Sequence, residues 1–309
     1  MISPPLTSTR ANLFRAFGVL AEVPGPGHTR LATLLDISPP SRSDWTEAFV
    51  VQLVPHASIY LSADGMLGGE PADRVAGFWR ALRLPVPSDP DHLTALLGLY
   101  ATLLEAETNE PAGPRRVLWG EARAALLHEH LLSWMLVYTV AMTEVGPEAY
   151  AGWATLLRET LLVEAAEVGV PWRLPMHLRD VPPLSEAVDR LDALLDQLLA
   201  PARSGLVVTR AHLATAAHQG GLGLRLGDRR RMLRAMFEQD PLATLGWLIE
   251  QARSWAVRHR ADENVAGPST VFWAGHAAAT VERLEGAGDV LRAEAEDSRR
   301  ECDSDEKGA

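Results

Sequence analysis

Among 309 residues there is one cysteine, Cys302, and one lysine, Lys307. A lone thiol in a polar terminal stretch leaves no disulfide framework, no cysteine-based zinc site and no buried thiol nucleophile, and it points to a reducing, cytoplasmic setting. Long apolar runs are missing as well. The longest charge-free apolar run unbroken by proline, His130 to Thr143, would rise ~21 Å as a helix against the ~30 Å of a bilayer core, so no segment is expected to span a membrane. Nor do the first twenty residues read as a secretory leader. Arg10 and Arg15 interrupt them, and Leu13, Phe14, Phe17 and Leu20 recur at helical spacing, the pattern of a mature N-terminal helix. Positive charge is in deficit, with 29 Lys and Arg against 40 Asp and Glu for a net of -11. That sign disfavours a coat for nucleic acid or anionic lipid and suits a basic partner. What is present is globular composition, 47% hydrophobic and 22% charged, which excludes full disorder and suffices for a core.

Apolar residues recur at three and four, Leu and Ala dominate, and alternating β-branched runs are rare. The fold class is therefore all-α, a helical bundle with an additional C-terminal helical domain. The periodicity predicts helices over about 6–21, 42–54, 71–84, 90–107, 117–144 and 147–168, then 183–199, 209–218, 228–239, 241–260 and 269–284. Pro171, Pro175, Pro182 and Pro183 fall within one short stretch that cannot be continuous helix. A boundary placed there divides the chain into residues 1–180, a C-terminal helical extension over 181–292, and an acidic tail, 293–309. The tail holds almost nothing apolar and is expected to be disordered.

Ser88-Asp-Pro-Asp-His92 opens the Leu-rich helix. Asp89 suits its cap, Pro90 its first position, and Asp91 the positive end of its dipole. Leu93, Leu96, Leu97, Tyr100 and Leu104 follow on one buried face, and His92 projects off it. Capping alone accounts for the acids, whereas a functional reading needs an exposed Asp and His at a loop that grips a ligand. In His128-Glu-His130 the two rings point about 200° apart, unlike the i, i+4 pair of a helical zinc site. His130 instead shares a face with Leu131, Trp134 and Tyr138 and reads as a core or interhelical hydrogen-bonding residue. The glycine-rich stretch Gln219 to Gly227 follows a helix rather than a strand and lacks the lysine of a phosphate loop. Arg225, Arg229, Arg230, Arg231 and Arg234 would suit phosphates in a helix-turn-helix. With no base-reading residues beside them, they read as a basic face paired with the acidic remainder. No nucleophile elbow, paired catalytic carboxylates or Cys/His dyad occurs, and no catalytic residue, metal or cofactor is expected. A helical metal-dependent enzyme using His92 and His130, and a DNA-binding regulator, stand as the alternatives to a binding protein.

From Ala48 to Trp134 the order of features resembles the TorD/DmsD/NarJ-like family of cytoplasmic chaperones for molybdoenzyme maturation. The pieces are Phe49 to Pro55, His56-Ala-Ser-Ile-Tyr60, the Gly65 to Gly69 loop, the Val75 to Leu84 helix with Trp79, the Pro85 to Leu93 stretch and Glu129-His-Leu-Leu-Ser-Trp134. Most diagnostic are the Asp91-His-Leu93 step and, two helices later, His130-Leu-x-x-Trp134. The resemblance covers roughly Leu6 to Leu199, and Pro201 to Leu291 looks like an extension that smaller members lack. It implies an all-helical, non-catalytic adaptor that binds the twin-arginine signal peptide, or the apo form, of a molybdopterin oxidoreductase subunit. Such an adaptor assists cofactor insertion and assembly before export, contacts neither nucleic acid nor membrane, and is a monomer or a dimer swapped about the Pro85 to Pro90 hinge. On that resemblance Asp91 and His92 bind the signal peptide, with Asp89, Tyr60 and Trp79 beside them, while His130, Leu131 and Trp134 are motif or core positions.

Overall fold

Phe14 and Phe17 near the start of the chain, and Leu96, Leu97 and Tyr100 on the Leu-rich helix, have no exposed surface. The Phe14 and Tyr100 rings meet at 4.5 Å between centroids, and the pairing of these two helices organises the N-terminal half. The computed structural model describes residues 6–185, 190–224 and 227–308, with backbone alone at 6–8, 295 and 297–308. The N-terminal half runs through α1 (Leu6–Leu20), α2 (Pro26–Leu34), α3 (Arg42–Trp45), α4 (Ala57–Leu61), α5 (Gly69–Ala81), α6 (Leu93–Asn109), α7 (Pro114–Ala125), α8 (Met135–Val145) and α9 (Glu148–Val168). The remainder comprises α10 (Met176–Arg179), α11 (Leu191–Leu198), α12 (Pro201–Ser204), α13 (Arg210–Gln219), α14 (Arg229–Gln239), α15 (Pro241–Arg260), α16 (Glu263–Ala266) and α17 (Pro268–Gly308). Wide π-helical turns prolong α3 over Thr46–Gln52 and α7 over Leu126–Leu131. The all-α class holds: the described residues contain no strand, only one isolated bridge between His56 and His92. None of their helices is long and apolar enough to cross a membrane.

α1 lies along α6, α6 against α7, and α8 against α9, while α15 lies along α17. Buried residues from Ala11 to Leu284 form one hydrophobic cluster, so the proline-rich stretch near residue 180 does not separate two cores. α17 reaches across it, its Trp273 Nε1 donating to the Ser133 carbonyl at 2.8 Å. α12 and α17 approach so closely that only glycine fits at 205. A Cβ there would sit 2.2 Å from the Ala277 nitrogen, and the backbone has φ +70.

Within this apolar frame lies one buried charge network. Glu164 on α9 is 1% exposed. It accepts from Arg10 Nε at 2.7 Å and from the Tyr100 hydroxyl at 2.6 Å. Arg123 completes the set, donating to the Tyr100 oxygen at 3.1 Å and to Glu107 at 2.7 Å. Four helices, α1, α6, α7 and α9, are thereby fixed in register around one carboxylate.

Several elements depart from the sequence reading. The helix expected over 117–144 breaks at Leu132 to Trp134, where the Trp134 backbone leaves helical geometry at φ -143. Carbonyls freed there find other partners: Trp134 Nε1 takes the His130 oxygen at 2.9 Å, and Trp273 takes that of Ser133. The Leu-rich helix starts at Leu93 rather than Pro90, with His92 and not Asp89 as its cap, because residues 91–93 pair with 55–57 in extended form. The backbone of α17 is helical to Gly308. The short helices α2 and α4 lacked a periodic signal.

Trp134, Leu131 and Tyr138 are all fully buried, and Trp134→Ala should destabilise the protein by ~3–5 kcal/mol in urea denaturation. Glu164→Ala, which takes the acceptor from the buried Tyr100 hydroxyl and leaves Arg10 and Arg123 with Glu167 and Glu107 alone, should cost ~1–3 kcal/mol. A loss below ~1 kcal/mol in either variant would contradict the corresponding core assignment.

Candidate functional site

Two loops cross where His56 precedes α4 and His92 precedes α6. Ala57 N–H donates to the Asp91 carbonyl at 3.1 Å, and Leu93 N–H donates to that of Pro55 at 2.9 Å. The Asp91 carboxylate, 3% exposed, turns inward and accepts from Ser58 N–H at 2.9 Å. It thus caps α4 from a distant part of the sequence. Ser58 relays the constraint, its hydroxyl accepting from Gly68 N–H at 3.0 Å. Gly68 and Gly69 have φ of +84 and +67, a backbone that favours glycine in both positions.

Of the residues singled out in the sequence, Asp91 and Tyr60 therefore face the interior. Tyr60 stacks on Trp134 at 5.2 Å and donates its hydroxyl to the Val54 carbonyl at 3.1 Å. His92 is half-buried, its Nδ1 accepting from Thr94 N–H at 3.2 Å and its ring edge-on to His56 at 4.7 Å. Burial, then the neighbouring His56, holds its pKa below the ordinary imidazole value, against the opposing pull of Asp89 and Asp91. Asp89 is exposed and hydrogen-bonded to Ser88 at 3.0 Å. Trp79, on α5, is half-buried with its indole N–H unpartnered. His130 belongs elsewhere: its Nδ1 meets His177 Nε2 at 2.9 Å and its ring lies against Phe78. His92 and His130 do not share a site, and no three His, Cys, Asp or Glu among the described residues are grouped to hold a metal.

The Ser58-anchored loop forms one wall of a groove of about 640 Å³, closed on the other sides by the start of α5, by α10 and by Arg203. Met66, Leu67 and Met176 line it while 64%, 59% and 51% exposed. Asp64, Glu70 and Asp180 stand among them, with Arg74 and His177. Unbranched thioethers adapt to apolar side chains of varied shape, and carboxylates accept guanidinium forks. The surface can hold a segment that is basic in one part and apolar in another. Sequence reasoning missed Met66, Leu67 and Met176. The available signal was an isolated Met-Leu pair between turn glycines, where no helix could bury it.

The arginine run divides. Arg230 and Arg234 pair with Asp192 and Asp196 of α11, and Arg229 turns toward the Val208 carbonyl at 2.9 Å. Arg225 lies outside the described residues. Residues 41–138, about a third of the chain, match the profile of the nitrate reductase delta subunit family. No curated protein matches the chain.

The buried His130 and His177 are both held well below the ordinary imidazole pKa, chiefly by burial and then by neighbouring positive charge. Burial does the same to His259. Each takes up a proton more readily in the unfolded chain, so their contribution to stability is complete above about pH 6.5 and is lost as pH falls below it. Urea denaturation should give lower stability at pH 5 than at pH 7. His177→Gln should reduce that dependence by ~1.4 kcal/mol per pH unit below the unfolded pKa. An unchanged slope would show that His177 is protonated alike in both states.

Proposed function

We propose, on the premise that residues 41–138 belong to the TorD/NarJ-like family, that this protein is a maturation chaperone for a molybdoenzyme subunit. In this reading it is a binding protein and not an enzyme. It holds a signal peptide of the twin-arginine kind, or an equivalent segment of the apo-subunit, while cofactor is inserted and before export. The observation that carries the reading is the groove, where Met66, Leu67 and Met176 are exposed beside Asp64, Glu70 and Asp180.

A twin-arginine segment is basic at its start and apolar after it. Asp180, which has no ion pair among the described residues, takes a guanidinium group, Glu70 takes another in exchange for its present partner Arg74, and the methionines take the apolar stretch. Asp89 and the half-buried His92 are available for direct contact. Asp91 and Tyr60 act from behind: Asp91 holds Ser58, Ser58 holds Gly68, and Gly68 positions the wall that carries Met66 and Leu67. The net charge of -11 favours encounter with a basic segment.

Titration calorimetry with a twin-arginine peptide tests the reading. Met66→Asp together with Leu67→Asp removes two exposed apolar contacts and should weaken binding more than tenfold, ~1.4 kcal/mol or more. Thermal stability should be unchanged, since neither side chain is in the core. The Asp91→Ala, His92→Ala pair should weaken the peptide comparably while also lowering the melting temperature. Wild-type affinity in the groove variant would remove the groove as the binding surface.

A further inference from the structure

On the far side of the Met66 loop a second cavity, about 560 Å³, opens between that loop, the end of α11, α12 and the start of α14. Its floor includes Gly65, whose backbone is so close to α12 that a Cβ would stand 3.1 Å from the Ala200 Cα. Arg203 borders both this cavity and the groove. Its guanidinium makes no hydrogen bond and no ion pair with any described residue, and its Nε is buried without a partner. Arg229, lining the same cavity, spends one N–H on the Val208 carbonyl and has no carboxylate within ion-pair distance among the described residues.

The carboxylates around them are engaged. Asp196 is bridged to Arg230. Asp228 caps α14 through Arg231 N–H at 2.8 Å, and Asp64 accepts from Met66 N–H at 3.0 Å inside its own turn. Two guanidinium groups with unused donors thus line one cavity. Desolvating such a group without a counter-charge is costly, and burial already weakens Arg229's hold on its proton.

We propose that this cavity is an oxyanion site, in which Arg203 and Arg229 bind a phosphate-class dianion through their free N–H groups. Each guanidinium offers a planar fork that matches a tetrahedral oxyanion, and two of them match a double negative charge. No aromatic side chain among the described residues lines the cavity, so the recognised part is the phosphate and not a stacked ring. The cavity shares Asp64, Met66 and Arg203 with the groove, but the proposal does not rest on the client-binding reading, because its test uses no peptide.

Titration calorimetry of the full-length protein with inorganic pyrophosphate, at ionic strength matched with chloride, tests it. Saturable binding is expected, weakened at least tenfold by Arg203→Gln and by Arg229→Gln. Arg203→Lys, which keeps the charge and loses the fork, should weaken it less than Arg203→Gln while leaving the far-ultraviolet circular dichroism unchanged. Should a glutamine variant not fold, the lysine variant and a phosphorus NMR shift of pyrophosphate on the wild type carry the test. Absence of saturable binding, binding unaltered by every Arg203 and Arg229 variant, or binding of succinate without pyrophosphate would overturn the assignment.

Discussion

The Asp91 carboxylate is a short side chain with a long reach in this fold. Buried between two loops, it satisfies the free N–H of Ser58 at the start of α4 while its own backbone carbonyl holds Ala57. A buried carboxylate costs free energy unless its oxygens are bonded, so the two loops can occupy only the positions in which this bonding is complete. Ser58 then binds the Gly68 backbone, and the loop bearing Met66 and Leu67 inherits its place. The groove is built on a chain of hydrogen bonds that begins behind it, and its exposed apolar residues stay exposed because the loop that carries them is tied down.

Behind that relay the Glu164 network sets the helices. A carboxylate shared by Arg10, Tyr100 and Arg123 admits little sliding between α1, α6, α7 and α9, since a displaced donor would leave charge buried and unpaired. The broken helix around Trp134 is a second such device. Its indole and that of Trp273 take up the carbonyls released by the break, and this ties α17 to the break between α7 and α8. The extension is therefore an integral wall: it supplies Arg203 to the groove and, with Arg229, a second cavity behind the same loop.

Much of this was legible in the chain. Heptad-like spacing of Leu93, Leu96, Leu97, Tyr100 and Leu104 specifies a helix with one buried face whatever it packs on, because side-chain direction follows from helical geometry alone. The all-α class and the burial of Leu131, Trp134 and Tyr138 were legible too, although the helix expected to bring those three to one face breaks at Trp134. Proline and glycine placed the turns. The capping of the Leu-rich helix was legible only in type. Local rules make Asp89 an adequate cap, yet His92 performs that role, since pairing with residues 55–57 holds 91–93 extended.

Contacts between residues far apart in sequence were decided by the tertiary structure. Nothing near Asp91 in the chain announces Ser58, and nothing near His130 announces His177. These pairings depend on how helices cross, and helix crossing is set by the whole set of packed faces and not by any one of them. Composition, helical period and the acidic balance belong to the sequence by itself, because they depend on residue type and local geometry. Whether a given carboxylate faces a client or a backbone N–H belongs to the fold, because burial is a property of the assembled chain.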